Sequence, residues 1–586
     1  MLIITEKPAV AKDFARTLGC FYSAADGAYK SRDGRILIAN CVGHLFNLAE
    51  PAHYDPRFKS WANLPVIPER FEYEMNPSTK STAAKVIKLI KSHKNDEILI
   101  ATDADREGEI IARECLNAAG IQSYSKIKRF WVSQALTDDV IAEGIKNARP
   151  DSEYEKLAEQ GFSRQKADWL VGINFTRFLT NKAGTLLTAG RVQSAILSAI
   201  AERCERIESF VPEKYYEHFG VFSSDEGKSC RGIYKDSEGK SSFTKPLVTL
   251  ESGYLCGRNA RLKDKRVEEK KNFPPSLYNL NELQKDAFKM YSYSAEKTLK
   301  LVQSMYEIHK CVSYPRTPSK VMGSANTTLC KTVFINLALD YPDYAPIKAT
   351  ADFSINNKRI FNDAKLEAHH AIIPLSKVPD DTTAEERNIY RLILERFMTS
   401  FSTPFVYEKQ TITLDVGGNT FEISGKKVLD EGWHKFSFAL KELMEEDAEK
   451  ESSQSLLDFD FENLKLSDIE TKEKLSKVPK HFNEASILAF MENPKTESTE
   501  EKLIGLGTSA TRHTFIPKLT KAGYIEVKNK NILITEKGIS FLKTVRASSV
   551  SKIADIAQTT EWEKQLNSNP QAFLDEIKEY VRSTIG

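Results

Sequence analysis

The chain of 586 residues predicts a multidomain fold in which an α/β domain is followed by helical (α) and β-rich domains. A single hydrophobic core cannot serve a chain of this length, so several domains are expected. In residues 1–150, short apolar runs alternate with helical patterns, which predicts a mostly parallel sheet covered on both faces. Residues 152–207 and 280–308 have helical patterns, whereas residues 215–266 and 405–425 resemble strands.

The α/β domain can be predicted element by element from its apolar runs and its helix boundaries. Strands are expected at residues 2–5, 36–40, 98–101 and 130–132, and helices at residues 9–18 and 107–119.

The later segments predict further units. Three β-type segments are expected at residues 219–222, 232–234 and 247–250. Strand patterns on both sides of residues 280–390 indicate that this helical block is inserted into a β domain. Residues 484–545 resemble a winged helix, with helices at 484–491 and 510–522 and a hairpin that pairs 524–528 with 532–535. The acidic residues 442–454 are interpreted as a solvated linker.

Composition excludes several classes of protein. The net charge of +2 does not by itself indicate a nucleic-acid partner, so any DNA-binding surface must come from local charge. The eight cysteines form no C-x-x-C pair, so neither a zinc site nor a redox dithiol is expected. No G-x-x-x-x-G-K-[ST] loop is present, so we expect no use of ATP. The N-terminus reads as a strand rather than a signal peptide, and no apolar run could span a membrane, so a cytoplasmic protein is expected.

Three acidic residues, Asp103, Asp105 and Glu107, follow the strand predicted at 98–101. Ligands in open α/β sheets gather at the carboxyl ends of strands, and oxygen ligands suit Mg²⁺ beside a phosphate. Glu6 ends the first strand and could supply a fourth carboxylate at the same edge. The alternative is an acidic loop whose carboxylates cap the next helix, and for an isolated motif it has about even odds.

A proline-braced loop contains Tyr314 and Arg316, with prolines at 315 and 318. A tyrosine hydroxyl with a pKa near ~10 needs cationic help to act as a nucleophile. Arg316 could hold a phosphate bidentately beside it. The alternative is a packed aromatic beside a solvated arginine, and because the chain has 21 tyrosines this alternative wins for the loop considered alone.

Further candidates are the His369–His370 pair and the sequence Gly190-Arg191-Val192-Gln193. One histidine could donate to a phosphate or carry a proton, although a plain surface pair is the commoner arrangement. The second sequence opens a helix whose N-terminus could seat a phosphate. Trp169 could stack on a base or belong to the core, and the two interpretations weigh equally.

Eight segments in order resemble the type IA DNA topoisomerases, most closely the bacterial topoisomerase III group including its plasmid-type members. They are ITEKPAVA (4–11), VGHLFNL (42–48), ATDADREGE (101–109), ADWLVGINFTR (167–177), AGRVQS (189–194), SYPRT (313–317), EAHHAIIP (367–374) and GLGTSATR (505–512). The family implies cleavage of one strand through a 5′-phosphotyrosine, strand passage and religation without ATP, with relaxation of negative supercoils and decatenation.

The resemblance implies roles for individual residues. Tyr314 would be the nucleophile, with Glu6, Lys7, Arg316 and His369 assisting at the phosphate. Other residues would bind a metal ion. Mg²⁺, or a similar cation such as Mn²⁺, would be held by Glu6, Asp103, Asp105 and Glu107. Single-stranded DNA would be contacted by His44, Trp169, Arg177, Thr188, Ala189, Gly190, Arg191, Val192, Gln193 and Arg316.

The resemblance also implies a Toprim domain and three further domains that close a toroid. We assign residues 1–150 to the Toprim domain, 151–212 with about 480–586 to a winged-helix-like DNA-groove domain, 213–275 with about 390–479 to a β-rich arch or hinge domain, and 276–389 to a helical domain with the nucleophile. The expected partner is single-stranded or underwound DNA, with a helicase considered as its supplier. A monomer is expected, with no membrane contact.

Three positions depart from the family pattern. Pro318 and Lys320 stand where Asp and Arg are usual, and Ser509 replaces a common Pro. Two alternative functions stay open on the sequence. A Toprim primase or endonuclease would share the acidic cluster, and a non-catalytic DNA-binding protein would use its acids structurally.

Overall fold

The computed structural model describes residues 1–586 except 122, 133–135, 225–226, 252, 368, 441–460, 462, 496–502 and 510. The interpreted linker at 442–454 and Ala510, the predicted first residue of a helix, lie outside the described residues. Within the described part of the chain, no helix is both long enough and apolar enough to cross a membrane.

The N-terminal unit is a seven-stranded sheet with strand order β2-β3-β4-β1-β7-β8-β9. Its strands, and a separate β5–β6 pair, are β1 (Leu2–Thr5), β2 (Phe21–Ser23), β3 (Ala28–Lys30), β4 (Leu37–Asn40), β5 (Phe46–Leu48), β6 (Tyr73–Met75), β7 (Ile98–Ala101), β8 (Ile127–Arg129) and β9 (Arg149–Pro150). The four neighbouring strands β4, β1, β7 and β8 run parallel. This central arrangement explains why β1 and β7 read as uninterrupted apolar runs.

Helices cover both faces of this sheet, as predicted. They are α1 (Pro8–Thr17), α2 (Pro51–Tyr54), α3 (Lys80–Ser92), α4 (Arg106–Ala118) and α5 (Asp138–Lys146). One core packs α1 and α5 against the sheet, and a second core packs α3 and α4 against its other face. The carboxyl ends of β1 and β7 are thereby left open at one edge.

Two predicted strands are wrong. The expected strand at 130–132 is instead β8, Ile127–Arg129, because the buried ion pair of Arg129 with Glu109 lets a charged residue occupy a central strand. Residues 247–250 were expected to be β-type, but Val248–Glu251 form a short helix, α8. Its Leu250 fills the barrel core described below, so a four-residue apolar run could not distinguish the two conformations.

A further core joins segments that are far apart in the sequence. Helices α6 (Glu155–Ala183) and α7 (Arg191–Glu208) share it with residues 482–581. The hairpin expected in the winged-helix-like segment is present, with Ile525–Lys528 paired antiparallel to Asn531–Ile534. Leu506, in the sequence GLGTSATR, therefore packs in the same core as α6 and α7, which lie some 300 residues earlier in the chain.

Six long strands form a closed barrel with the order β10-β11-β14-β13-β12-β15. They are β10 (Lys214–Ser224), β11 (Ser229–Lys235), β12 (Asn259–Asn272), β13 (Phe405–Val416), β14 (Asn419–Asp430) and β15 (Leu464–Leu475), while the hairpin above is β16 and β17. Adjacent strands β12 and β13 pair antiparallel from Arg261 to Asn272 and from Phe405 to Asp415. The chain between them forms the helical block that contains Tyr314.

That block has its own large core. Its helices are α9 (Leu280–Tyr291), α10 (Ala295–Glu307), α11 (Thr327–Asp340) and α12 (Ala384–Ser400). The C-terminal helices are α13 (Glu484–Glu492), α14 (Phe515–Lys521), α15 (Glu536–Arg546), α16 (Ile556–Ser568) and α17 (Pro570–Ile585). Shorter 3-10 turns occur at Pro56–Lys59, Asp151–Tyr154, Ser324–Asn326, Pro342–Ala349, Asp363–Lys365, Gly432–Phe436, Arg512–Thr514 and Ser551–Ala554.

Candidate active site

The acidic loop begins where β7 ends, beside the end of its parallel neighbour β1. The Asp103 amide donates to Glu6 Oε2 at 3.2 Å, so the two carboxyl groups share one edge of the sheet. Asp105 is the N-cap of α4 and accepts from the Gly108 amide at 2.8 Å. A Cβ at Gly108 would lie 2.1 Å from the Asp103 carbonyl oxygen, so only glycine permits this tight turn. Asp105 therefore does cap the next helix, as the alternative interpretation of the acidic loop expected.

Arg129 fixes the backbone of this loop from below. Its guanidinium is fully buried and donates to the carbonyls of Thr102 at 2.8 Å and Asp103 at 2.6 Å. Its Nε pairs with Glu109 Oε2 at 2.9 Å. A charged donor held by several acceptors gives the loop one defined position.

The tyrosine loop is braced against the segment that contains His369. Val312 forms a β-bridge with Pro374, and the Ser313 amide donates to the Ile373 carbonyl at 3.0 Å. The Thr317 hydroxyl donates to the His369 carbonyl at 3.2 Å. Two stretches about 60 residues apart therefore form one rigid support for Tyr314.

Tyr314 points into the acidic edge of the sheet. Its hydroxyl donates to Asp103 Oδ2 at 3.1 Å and lies 3.5 Å from Asp105 Oδ2. Lys7 Nζ lies 2.9 Å from the same Asp103 oxygen and 3.1 Å from Glu307. The tyrosine is 4% exposed, and burial together with the charge of Asp103 raises its pKa well above the usual value. A neutral phenol is therefore docked among carboxylates and one ammonium group.

His369 packs against Tyr314, with the two ring centroids 4.3 Å apart, and stacks on Trp131 with its centroid at 6.2 Å. Burial lowers the pKa of His369 to about 4, so the ring is neutral at pH 7. Its neighbour His370 is also buried and faces the Ala371 carbonyl at 2.7 Å. The two histidines thus have different surroundings, and only His369 contacts the tyrosine.

Arg316 lies close enough to Tyr314 and Asp103 to interact with both electrostatically. Its Nη2 makes one long contact with Gln303 Oε1 at 3.4 Å, and its buried Nε has no hydrogen-bond partner among the described residues. Burial alone would lower the pKa of Arg316, but Tyr314 and Asp103 raise it. The guanidinium therefore keeps donor capacity for an anion that enters the site.

The predicted acidic triad is not complete as the side chains stand. Glu107 turns towards Arg164, whose Nη1 lies 2.5 Å from Glu107 Oε1, and towards His44 Nε2 at 3.4 Å. Among the described residues, no group of three His, Cys, Asp or Glu side chains is arranged to hold a metal ion. Glu107 is thus paired with a cation on α6 and stands apart from Asp103 and Asp105, and its role as a metal ligand stays a prediction.

The chemistry of the remaining acids nevertheless fits a divalent cation. Burial and the charge of Asp103 raise the pKa of Glu6 to about 8, and the same two causes raise the pKa of Asp105. Burial is the larger cause of both shifts, and repulsion from Asp103 adds to it. Carboxylate oxygens are the ligands that Mg²⁺ prefers, and a bound cation would stabilise the charged forms of these acids.

A cavity of about 520 Å³ opens beside the tyrosine and is lined by Asp105, Arg316 and His369 among others. A second cavity of about 230 Å³ is lined by Gly190, Arg191, Val192 and Gln193. Both are lined by Arg164, Gly507, Thr508 and Glu563. The shared lining makes the two cavities neighbours along one groove.

Several more residues expected to contact DNA lie elsewhere. Trp169 packs edge-on against Tyr54 and Phe71, and Arg177 donates to the Phe58 carbonyl at 2.8 Å, so neither lines the two cavities. The Thr188 carbonyl accepts from the Tyr524 hydroxyl, and the Ala189 amide donates to the Thr176 hydroxyl. His44 holds Glu107 and Glu114 instead of facing the groove. Even Arg191, which lines the second cavity, is 2% exposed and pairs with Glu563 and Asp168.

Sequence reasoning missed several residues of this site. Glu563, on helix α16, and Arg512 line the larger cavity, and no spacing rule connects them with Tyr314. Arg129 was missed because it precedes the segment that was expected to form the strand. Arg164 lies in the predicted helical segment 152–207, but no local pattern indicated that it would pair with Glu107.

The comparisons with known proteins define the class to which this fold and site belong. The Toprim domain profile matches residues 1–135, and the profile described as DNA topoisomerase matches residues 152–569. The chain belongs to the type IA DNA topoisomerases, and it is therefore an isomerase that acts on DNA. Toprim domains typically bind Mg²⁺. The match beyond residue 135 rejects the alternatives of a Toprim primase or endonuclease and of a non-catalytic binder.

Within this class the chain is similar to bacterial DNA topoisomerase 3. It is 35% identical to that of Bacillus licheniformis over 607 aligned positions and 34% identical to that of Bacillus subtilis over 608, covering 100% of this chain and 81% of each relative. Full-length topoisomerase I from Thermotoga maritima has the same fold, with a TM-score of 0.72, 22% identity, and coverage of 100% of this chain and 90% of that one. The predicted family and its multidomain fold are confirmed.

Proposed function

We propose that Tyr314 is the nucleophile that cuts one DNA strand, forming a 5′-phosphotyrosine and releasing a 3′ hydroxyl. The observation that carries this proposal is the distance of 3.1 Å between the Tyr314 hydroxyl and Asp103 Oδ2 at the Toprim edge. A new ester replaces the phosphodiester at similar energy, so religation needs no ATP. Strand passage between the two steps relaxes negative supercoils and decatenates DNA.

The groups around Tyr314 support this chemistry. Its high pKa means that the phenol must lose its proton as the oxygen–phosphorus bond forms, and Asp103 already accepts the hydrogen bond. Arg316 is proposed to hold the phosphate, since its buried Nε is unsatisfied among the described residues. Lys7 and the neutral His369 are proposed to stabilise charge and assist proton transfer, with Glu6 completing the polar edge.

We further propose that Glu6, Asp103 and Asp105 hold Mg²⁺, joined by Glu107 when it leaves Arg164. The cation would supply positive charge that stabilises the phosphate and positions the DNA. The chain's own part is to gather oxygen ligands, since Glu6 accepts from the Asp103 amide and the Tyr314 hydroxyl lies near both Asp103 and Asp105. Mn²⁺ has the same ligand preference.

The groove between α6, α7 and residues 505–509 and 511–512 is proposed as the path of single-stranded DNA. Gly190, Arg191 and Gln193 line its second cavity. We propose the four-domain division given above, with the Toprim domain at 1–150 and the nucleophile in 276–389. We also propose that the protein is a monomer and acts in the cytoplasm. Its substrate would be underwound DNA, which a helicase can supply.

The test is relaxation of a negatively supercoiled plasmid by Tyr314→Phe. The variant should bind single-stranded DNA and yet neither relax the plasmid nor form a protein–DNA adduct. Tyr306→Phe is the matched control, because Tyr306 is buried beside Tyr314 with a ring-centroid distance of 5.5 Å. The control should stay active. Chelation of divalent cations should stop relaxation by the parent protein, and added Mg²⁺ should restore it. Full relaxation by Tyr314→Phe would overturn the proposal.

A further inference from the structure

The ion pair between Arg164 and Glu107 connects the proposed cation site to the DNA groove. Arg164, on α6, donates from Nη1 to Glu107 Oε1 at 2.5 Å. Both side chains are partly exposed, at 22% and 32%. Glu107 is the first-turn residue of α4 that would otherwise stand beside Asp105.

Arg164 also faces the groove. It lines the larger cavity together with Asp105 and Arg316, and it lines the smaller cavity together with Gly190 and Arg191. A guanidinium binds carboxylate and phosphate in the same forked geometry. A DNA phosphate in this groove and Glu107 would therefore compete for the same donors.

We propose that Arg164 is a positioning residue that couples DNA binding to cation binding. When a DNA phosphate takes over Arg164, Glu107 is released to join Asp103 and Asp105 at the cation. This inference rests on the proposed function, because it uses the cation site and the groove defined there. By linkage, DNA must tighten cation binding by the same factor as the cation tightens DNA binding.

The surroundings make this exchange feasible, because no charge is left buried alone. Arg164 Nε also lies 3.6 Å from Asp168. His44, which contacts Glu107 as well, would still be paired with Glu114 at 3.2 Å. Leaving a buried charge without a partner is costly, and the exchange avoids this cost because a phosphate replaces Glu107 at Arg164. Each group in the exchange therefore keeps a counter-ion.

The experiment measures Mg²⁺ affinity by calorimetry on the full chain carrying Tyr314→Phe, with and without a short single-stranded oligonucleotide. DNA should tighten Mg²⁺ binding by roughly fivefold or more. Adding Arg164→Gln should raise the affinity without DNA and reduce the effect of DNA to less than about twofold. Arg164→Lys, which keeps the charge, should retain part of the coupling and serves if the Gln variant folds poorly.

Arg177→Gln is the matched control, since Arg177 donates to a backbone carbonyl. It should leave the coupling factor unchanged even if DNA binds less tightly. If the parent binds Mg²⁺ and DNA without coupling, or if both Arg164 variants keep the full factor, the inference is wrong and the proposed function stands. If the parent binds no cation at all, the metal proposal and the coupling are both wrong.

Discussion

The hydroxyl of Tyr314 and the carboxylate of Asp103 are hydrogen-bonded at 3.1 Å, although 211 residues separate them in the chain. The tyrosine comes from the helical block between β12 and β13, and the aspartate from the edge of the Toprim sheet. Lys310 on the same block reaches Asp13 at 2.6 Å, which adds a second contact between the two units. The nucleophile and the acidic edge thus meet at a junction of two separately built cores.

Lys7 is expected to contribute to the cleavage step. It is the cation nearest to the Asp103 oxygen that accepts from Tyr314. Lys7→Met should lower the single-turnover cleavage rate by about 10²–10³-fold, as for comparable preorganised donors. Lys12→Met, an exposed position on the adjoining helix, is the control and should cleave normally. A Lys7→Met rate within twofold of the parent would remove Lys7 from the chemistry.

Arg316 should not be replaceable by lysine. A lysine keeps the charge but loses the planar fork that holds two phosphate oxygens. Arg316→Lys is therefore expected to slow cleavage of an end-labelled oligonucleotide by about tenfold or more, corresponding to ~1.4 kcal/mol. Equal rates for the two proteins would mean that Arg316 acts only as a distant positive charge.

Arg129 should be important for stability as well as for activity. Arg129→Met removes one of the two arginines that pair with the buried Glu109, and Arg113 is the one that stays. The substitution also removes the donors that hold the Thr102 and Asp103 carbonyls. Breaking a buried pair costs about 3–5 kcal/mol, so the urea unfolding midpoint should fall clearly. The double variant Arg129→Met/Glu109→Leu should recover part of the loss. A single-variant loss below about 1 kcal/mol would contradict the structural role assigned to Arg129.

His369 should make the protein sensitive to acid. Its pKa is about 4 in the folded state because the ring is buried, so between pH 6.5 and pH 4 the unfolded chain binds more protons than the folded chain. Stability should therefore be full above pH 6.5 and fall as the pH approaches 4, by up to roughly 3 kcal/mol from this group. The free energy of unfolding should differ less between pH 7 and pH 4.5 for His369→Gln than for the parent protein. Equal differences would mean that His369 is not held neutral.

The sequence predicted the parts of the fold that have strong local signals. Strands β1 and β7 are uninterrupted apolar runs, and both bounds were predicted correctly. The strand at residues 127–129 was misplaced because Arg129 is charged, and only its tertiary partner Glu109 explains why it is buried. A local pattern does not contain that information.

The candidate site could be predicted only as separate segments. Asp103, Tyr314 and His369 were named from motifs, but their contact depends on how the helical block rests on the Toprim sheet. The direction of Glu107 was not predictable, because it is decided by Arg164 on another helix. Lys320, which departs from the family pattern, reaches Glu282 at 2.9 Å, a contact that spacing could not indicate.

The central claim is that Tyr314 forms the covalent bond to DNA, and peptide mapping of the trapped adduct tests it most directly. Trypsin should release the peptide from Cys311 to Arg316 carrying a nucleotide, and a label at the 3′ end of the DNA should remain with the protein. Mass spectrometry should place the phosphate on Tyr314. A nucleotide on any other residue, or a retained 5′ label, would contradict the mechanism.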